Sequence, residues 1–192
     1  MKFAIWLPAF VLVVLTVVAS AQVAPPSAHQ HAFTSIDEEG EITLSGLAGK
    51  AVLVVNTASF CGFTHQYEGL EALWREYRDE GLVVLGVPSN DFGAQEPHAE
   101  AEIKAFCQGA FNVTFPLTRK YKVRGEGAHG FYRWLADVTG GQGSPRWNFH
   151  KVLLDGDGRL VRWFPSSVAP QAPKLRRAVQ ELLGEAQAGG SG

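Results

Sequence analysis

The chain has two cysteines, Cys61 and Cys107, and their surroundings differ in kind. Cys61 stands among Ser59, Gly62 and Thr64, small and polar as in an exposed loop, where a thiol serves as a nucleophile. Cys107 follows Phe106 on the apolar side of a helical pattern, where a cysteine serves equally well as a small buried hydrophobe. Two sulfurs are too few for a disulfide-built scaffold or a four-thiolate zinc site, and no Cys-x-x-Cys pair signals a disulfide oxidoreductase. The chemistry belongs either to one reactive thiol or to the pair. A permanent bond between them is a further reading, since closing a loop of about 46 residues would stabilise the fold by roughly 4 kcal/mol. His65 could join Cys61 on a soft metal such as copper, with His29 and His31 as remote helpers, although its first reading is a helix-surface residue.

The elements that must position these groups follow from periodicity. Residues 51–55 and 82–87 are continuous, β-branched runs of the kind buried on both faces of a sheet. Between them residues 65–80 carry Tyr67, Leu70, Leu73, Trp74 and Tyr77 at helical spacing, so strand, helix and strand form a right-handed βαβ unit. A second helix opens at Pro97, with Ala99, Ile103, Phe106, Cys107 and Ala110 on one face. A short extended piece follows over residues 113–117 and a third helix over 128–138. Strands 151–154 and 160–164 flank the turn Asp155-Gly156-Asp157-Gly158, and a last helix starts at Pro170. Residues 35–43 make an opening hairpin around Gly40. This order gives an α/β, thioredoxin-like fold: a central mixed sheet flanked by helices, with an N-terminal β-hairpin. It puts Cys61 at the carboxyl end of a central strand and the amino end of a helix, where unpaired N–H groups point outward. That helix end supplies only about 0.3–1 kcal/mol toward a thiolate, so further donors are needed for a fast nucleophile.

With 192 residues and a net charge of −2, the chain is one domain and lacks the basic face of a nucleic-acid binder. Its hydrophobic share of 46% is enough for one packed core. Lys2, an uncharged run over residues 3–18 and the small triplet Ala19-Ser20-Ala21 have the parts of a secretory signal peptide. The expected organisation is a cleaved leader over 1–21, a linker over 22–32, the domain over 33–184 and a flexible tail over 185–192. This puts the mature protein, free of membrane, in the periplasm or outside the cell. An uncleaved anchor is the alternative.

Three separated segments resemble the cysteine form of the glutathione peroxidase family. They are NTASFCGFT from Asn56 to Thr64 with Gln66, Tyr67 and Leu70; PSNDFGAQEP from Pro88 to Pro97; and Trp147-Asn148-Phe149. The resemblance implies that Cys61 is the peroxidatic nucleophile and that Gln95, Trp147 and Asn148 are its polar partners. It further implies that Cys107 is the resolving cysteine of members reduced by a thioredoxin-like protein. Hydrogen peroxide and organic or lipid hydroperoxides would be substrates, and neither cofactor nor metal is called for. Because an inward-facing Cys107 cannot reach Cys61 from an intact helix, residues 99–111 are expected to open during turnover. His65 and Asp91 depart from the family's usual Pro and Gln, without removing a catalytic group. The short stretch before Trp147 implies a monomer with an open site. The frame of a peroxiredoxin nucleophile, Pro and Thr just upstream, is missing. The alternative to a peroxidase is a redox-sensing or copper-binding thiol protein without turnover.

Overall fold

A computed structural model describes residues 26–189, with side chains through 184. The leader-like residues 1–21 lie outside the described residues. After a 3-10 turn, Ala28–Gln30, the antiparallel pair β1 (Ala32–Thr34) and β2 (Glu41–Thr43) forms a small sheet of its own. The βαβ unit follows as β3 (Ala51–Thr57), α1 (Gln66–Tyr77) and β4 (Leu82–Pro88). Then come α2 (Glu100–Phe111), α3 (Gly130–Thr139), β5 (Lys151–Leu154), β6 (Leu160–Phe164) and α4 (Pro173–Gly189). The main sheet has the order β4-β3-β5-β6, with β3 and β4 parallel and the other pairs antiparallel.

All seven residues of β3 and all seven of β4 are buried, because helices cover both faces. The period of two divides them. Leu53 and Val55 pack with Leu70 and Leu73 of α1 and Leu175 and Val179 of α4, while Val52 and Val54 pack with Phe131 and Leu135 of α3. Each such side chain contributes about 1.5–3 kcal/mol on burial, so the strand ends that carry the site rest on the best-packed part of the molecule.

The extended piece expected at 113–117 meets β4 at the bridge Gly86 to Leu117, and Glu71 of α1 binds it at Thr114. That carboxylate accepts from Thr114 N at 2.7 Å and Thr114 Oγ1 at 2.6 Å. A side chain at Gly86 would meet Leu117 Cδ2 at 2.5 Å, so only glycine permits this approach. Helix α2 begins at Glu100 rather than Pro97, since Ala99 is extended at φ −74° and ψ 163°. The expected linker is docked from Pro26 onward: Trp134 Nε1 donates to the Pro26 carbonyl at 3.0 Å, and Ser27 Oγ donates to the Asp157 carbonyl at 2.7 Å. His31 is therefore held among aromatic rings, 6.3 Å from Phe131 and 6.2 Å from Trp134, and burial lowers its pKa. Last, α4 continues through Gly184 to Gly189, where a tail was expected; one helical glycine costs only about 1 kcal/mol. Among the described residues, no helix is long and apolar enough to cross a membrane.

Candidate active site

Three loops meet at the carboxyl ends of β3 and β4 and the amino end of β5. The first carries Cys61. Its turn is closed by Thr64, whose hydroxyl accepts from Cys61 N at 3.0 Å and donates to the Ala58 carbonyl at 2.9 Å. The second carries Gln95 and is tied to the first: Phe60 N donates to the Gln95 carbonyl at 3.0 Å, and the Glu96 carboxylate accepts from Ser59 N at 2.9 Å. The third carries Trp147 and Asn148. Asn56, at the end of β3, donates through Nδ2 to the Trp147 carbonyl at 3.1 Å and accepts Phe149 N at 2.6 Å. Two non-glycine residues at positive φ flank the polar groups, Ala94 at 51° just before Gln95 and Phe149 at 61° just after Asn148. Such conformations cost about 1–3 kcal/mol each and persist where the surroundings over-determine them, as at functional sites.

Cys61 is buried at 8% exposure, and its Sγ accepts from Phe63 N at 3.4 Å. The three expected side-chain donors are placed around this turn without bonding the sulfur directly. Asn148, wholly buried, donates from Nδ2 to Gln95 Oε1 at 2.9 Å. This fixes the Gln95 amide with its NH2 end free, a ready donor to a peroxide oxygen. Trp147 is 40% exposed, and its ring stands 5.9 Å from that of Phe92. The structure thus brings Gln95 and Asn148 into contact and leaves the donor ends of Gln95 and Trp147 available to a ligand. His65 is exposed, with Nδ1 against the Gly62 carbonyl at 3.0 Å, and no cluster of three metal-ligating side chains exists among the described residues.

Cys107 lies at 0% exposure on α2, reduced like Cys61. Burial pushes its thiol up to about 11, and the nearby Glu96 carboxylate adds to the rise. Tyr67, read from sequence as an apolar helix position within the first family segment and given no role there, is a neighbour of the second sulfur. Glu96 is likewise wholly buried, with one oxygen unpartnered, and burial raises its pKa. Its charge next to Gln95 was the sequence signal for it, a carboxylate in a turn that folds against an apolar helix.

Asp91 has a function that its departure from the family pattern did not reveal. Its Oδ2 accepts from Val123 N at 2.6 Å and Arg124 N at 3.2 Å, which holds the Arg124 guanidinium 4.9 Å over the Phe92 ring, and Phe92 in turn backs Trp147. Cation–π contacts of this kind are worth about 0.5–1 kcal/mol, so Asp91→Ala is expected to lower kcat/KM for hydrogen peroxide about two- to fivefold. In a Trp147→Phe background the same change should have no further effect; additive losses would disconnect Asp91 from the indole.

His150, missed in the sequence, is buried next to Asn148, and desolvation lowers its pKa to about 4. A histidine depressed from 6.5 in the folded state contributes stability that is present above pH 6.5 and lost as pH falls through 4. The loss amounts to about 3 kcal/mol. Urea unfolding at pH 7 and pH 4 should show this difference in wild type and not in His150→Gln; equal slopes in both proteins would remove His150 from the acid response.

A thioredoxin-like sheet with one strand-end thiol, flanked by an amide pair and an indole, defines a thiol-based redox protein. Residues 30–136 match the family model described as glutathione peroxidase, and the chain belongs to that family. It is 43% identical over 152 residues to glutathione peroxidase-like peroxiredoxin 2 of Saccharomyces cerevisiae, covering 77% of this chain and 92% of the relative. It is also 43% identical over 150 residues to a hydroperoxy fatty acid reductase of Synechocystis, covering 74% and 88%. The crystal structure of Trgpx in its apo form superposes with a TM-score of 0.67 at 34% identity, covering 84% of this chain and 97% of that one. The family, the fold and the class of enzyme expected from the three sequence segments are thereby borne out, and the chain is a peroxidase.

Proposed function

We infer that the protein reduces hydrogen peroxide and organic hydroperoxides through Cys61 and returns to the thiol form through Cys107 and a thioredoxin-like dithiol protein. The observation that carries this reading is the placement of Cys61 Sγ on the Phe63 N–H at the head of α1, beside a Gln95 amide whose donor end is left free by Asn148. In the first step the Cys61 thiolate attacks the O–O bond of ROOH. An S–O bond forms, the O–O bond breaks, and the departing alkoxide takes a proton to leave as ROH, with Cys61 as sulfenic acid. Gln95 and Trp147 stabilise the charge that moves onto the departing oxygen. The Cys107 thiol then gives up its proton and attacks Cys61, forming the disulfide as hydroxide leaves and is protonated to water. A dithiol partner reopens the bond by exchange.

The leader-like residues 1–21 support an address outside the cytoplasm, where the electron donor is a thioredoxin-like protein of that compartment. The short connection between α3 and Trp147 supports a monomer. Peroxide-dependent NADPH oxidation should be sustained by thioredoxin with thioredoxin reductase, and by glutathione with glutathione reductase at least about tenfold more slowly, as expected when a protein dithiol reopens an internal disulfide. Equal rates with glutathione would overturn the assignment of the reductant, and no rate with either would overturn turnover itself.

A further inference from the structure

A carboxylate buried without a cation is costly to maintain, and this protein keeps one against the turn that carries Cys61. Glu96 is 0% exposed, and no Lys, Arg or His nitrogen of the described residues lies within 4 Å of its carboxylate. Lys120 comes near but directs its ammonium to backbone, donating to the Glu96 carbonyl at 3.3 Å and the His98 carbonyl at 2.7 Å. The two carboxylate oxygens differ. Oε2 accepts from Ser59 N at 2.9 Å and from Ser59 Oγ at 3.1 Å, two residues before Cys61. Oε1 is buried without a partner.

This carboxyl stands where α2 folds against the Cys61 turn. Cys61, Tyr67 and Cys107 belong to one cluster of buried side chains, and a cavity of about 250 Å³ is lined by Ser59 and Phe60 of the turn and by Ile103 and Phe106 of α2. Within that region Cys107 of α2 feels the charge of Glu96, and Tyr67 of α1 feels the charges of both. When α2 opens, Glu96 stays behind, because Ser59 holds its side chain and the Gln95 carbonyl accepts from Phe60 N at 3.0 Å. Cys107 must come to this same turn to reach Cys61, so its thiol meets the carboxyl at the point of attack.

Resolution needs one proton taken and one given at the same place, since a thiol must ionise and hydroxide leaves readily only with an acid at hand. We propose that Glu96 carries this proton, from the Cys107 thiol to the oxygen that leaves Cys61. The proposal rests on the peroxidase reading and gives its second step a proton carrier. The carboxylate takes the thiol proton, and the Cys107 thiolate attacks the sulfenic sulfur. The S–S bond forms, the S–O bond breaks, and the departing oxygen takes the proton from the carboxylic acid and leaves as water. The carboxylate is restored and no further reactant is consumed. Burial raises the Glu96 pKa against the Ser59 bonds and the charges of Lys120 and His98, which brings its acid form closer to neutral pH.

The test uses Glu96→Gln, which keeps an oxygen for the Ser59 N–H and cannot carry a proton. Reduced protein is mixed with one equivalent of hydrogen peroxide, and mass spectrometry of quenched samples follows the sulfenic acid and the disulfide. In the variant, sulfenic acid formation should stay within about threefold of wild type, while its conversion to the disulfide should slow about a hundredfold. In wild type that conversion should fall as pH drops through the raised carboxyl; Glu96→Gln should lack this limb and His98→Gln should retain it. In a second arm Cys61 is capped as the mixed disulfide with thionitrobenzoate, whose anion leaves without a proton. Its displacement by Cys107 should proceed within about threefold in wild type and Glu96→Gln, because no acid is needed. Equal slowing of both displacements would make Glu96 a support of the fold and overturn the proposal, as would unchanged conversion of the sulfenic acid. If peroxide leaves Cys61 of wild type reduced while thionitrobenzoate is still displaced, the peroxidase reading falls and the proposal with it.

Discussion

Replacing Cys61 by serine should reduce kcat/KM for hydrogen peroxide by at least about a thousandfold, because the hydroxyl is not ionised at neutral pH and its oxygen cannot cycle through a sulfenic acid. The substitution is chosen to leave the turn intact. Thr64 Oγ1 holds the backbone N–H of residue 61, not its side chain, and the Phe63 N–H that bonds Sγ at 3.4 Å can bond a serine oxygen. Folding can therefore be checked by urea unfolding, where the variant should stay within about 1 kcal/mol of wild type. Cys61 is 8% exposed, and the loop that carries Gln95 is bonded to its turn, Phe60 N donating to the Gln95 carbonyl at 3.0 Å. This gives the experiment a second arm: Gln95→Ala should lose about tenfold to a hundredfold, as for removal of one preorganised donor to a developing oxyanion, while keeping the Cys61 thiol titratable. Peroxide turnover by the serine variant within tenfold of wild type would remove Cys61 from the chemistry.

How much of this could be read before the structure depends on how local each signal is. The β-branched runs at 51–55 and 82–87, the helical spacing from Tyr67 to Tyr77 and the Asp-Gly turn at 155–158 are written in neighbouring residues, and each became the element expected. Three short segments named the site because the resemblance supplied what spacing lacks. The pairing of Asn148 with Gln95 spans 53 positions and has no local trace. The same holds for Glu71, which binds Thr114 across 43 positions. Docking of the segment from Pro26 depends on Trp134, 108 positions away, offering an indole N–H that needs an acceptor. Tyr67 shows a subtler gap: its ring satisfies the helix period, so the pattern assigned it to the core and was silent about the hydroxyl facing Cys107. Positive φ at Ala94 and Phe149 was equally invisible, since neither residue type favours it and only the surrounding loops impose it.

Cys107→Ser should accumulate sulfenic acid on Cys61 and lower turnover with a thioredoxin-like donor at least about a hundredfold, while the first, single-turnover loss of the Cys61 thiol stays within about threefold of wild type. The argument begins with burial. Cys107 is 0% exposed and its thiol is pushed up to about 11, so in the folded helix it is neither accessible nor ionised at neutral pH. Resolution therefore requires α2 to open, and α2 is built to do so cheaply. Of its twelve residues only Ile103 and Cys107 are fully buried, and Ala99 at its start offers no side-chain cap. Gly109 inside it costs about 1 kcal/mol relative to alanine. On opening, the thiol leaves the desolvating pocket of Tyr67 and Glu96 and returns toward the ordinary range for a cysteine, which makes the attack on Cys61 feasible. Hydrogen exchange should report this directly. Amides of residues 100–111 should exchange through local opening in the reduced protein, well before β3 and β4, and should lose most of their protection once the disulfide forms. Gly109→Ala should slow disulfide formation about fivefold by stabilising the closed helix, without changing the first oxidation step. An oxidised protein with α2 fully protected and both sulfurs unbonded would exclude Cys107 as the resolving residue.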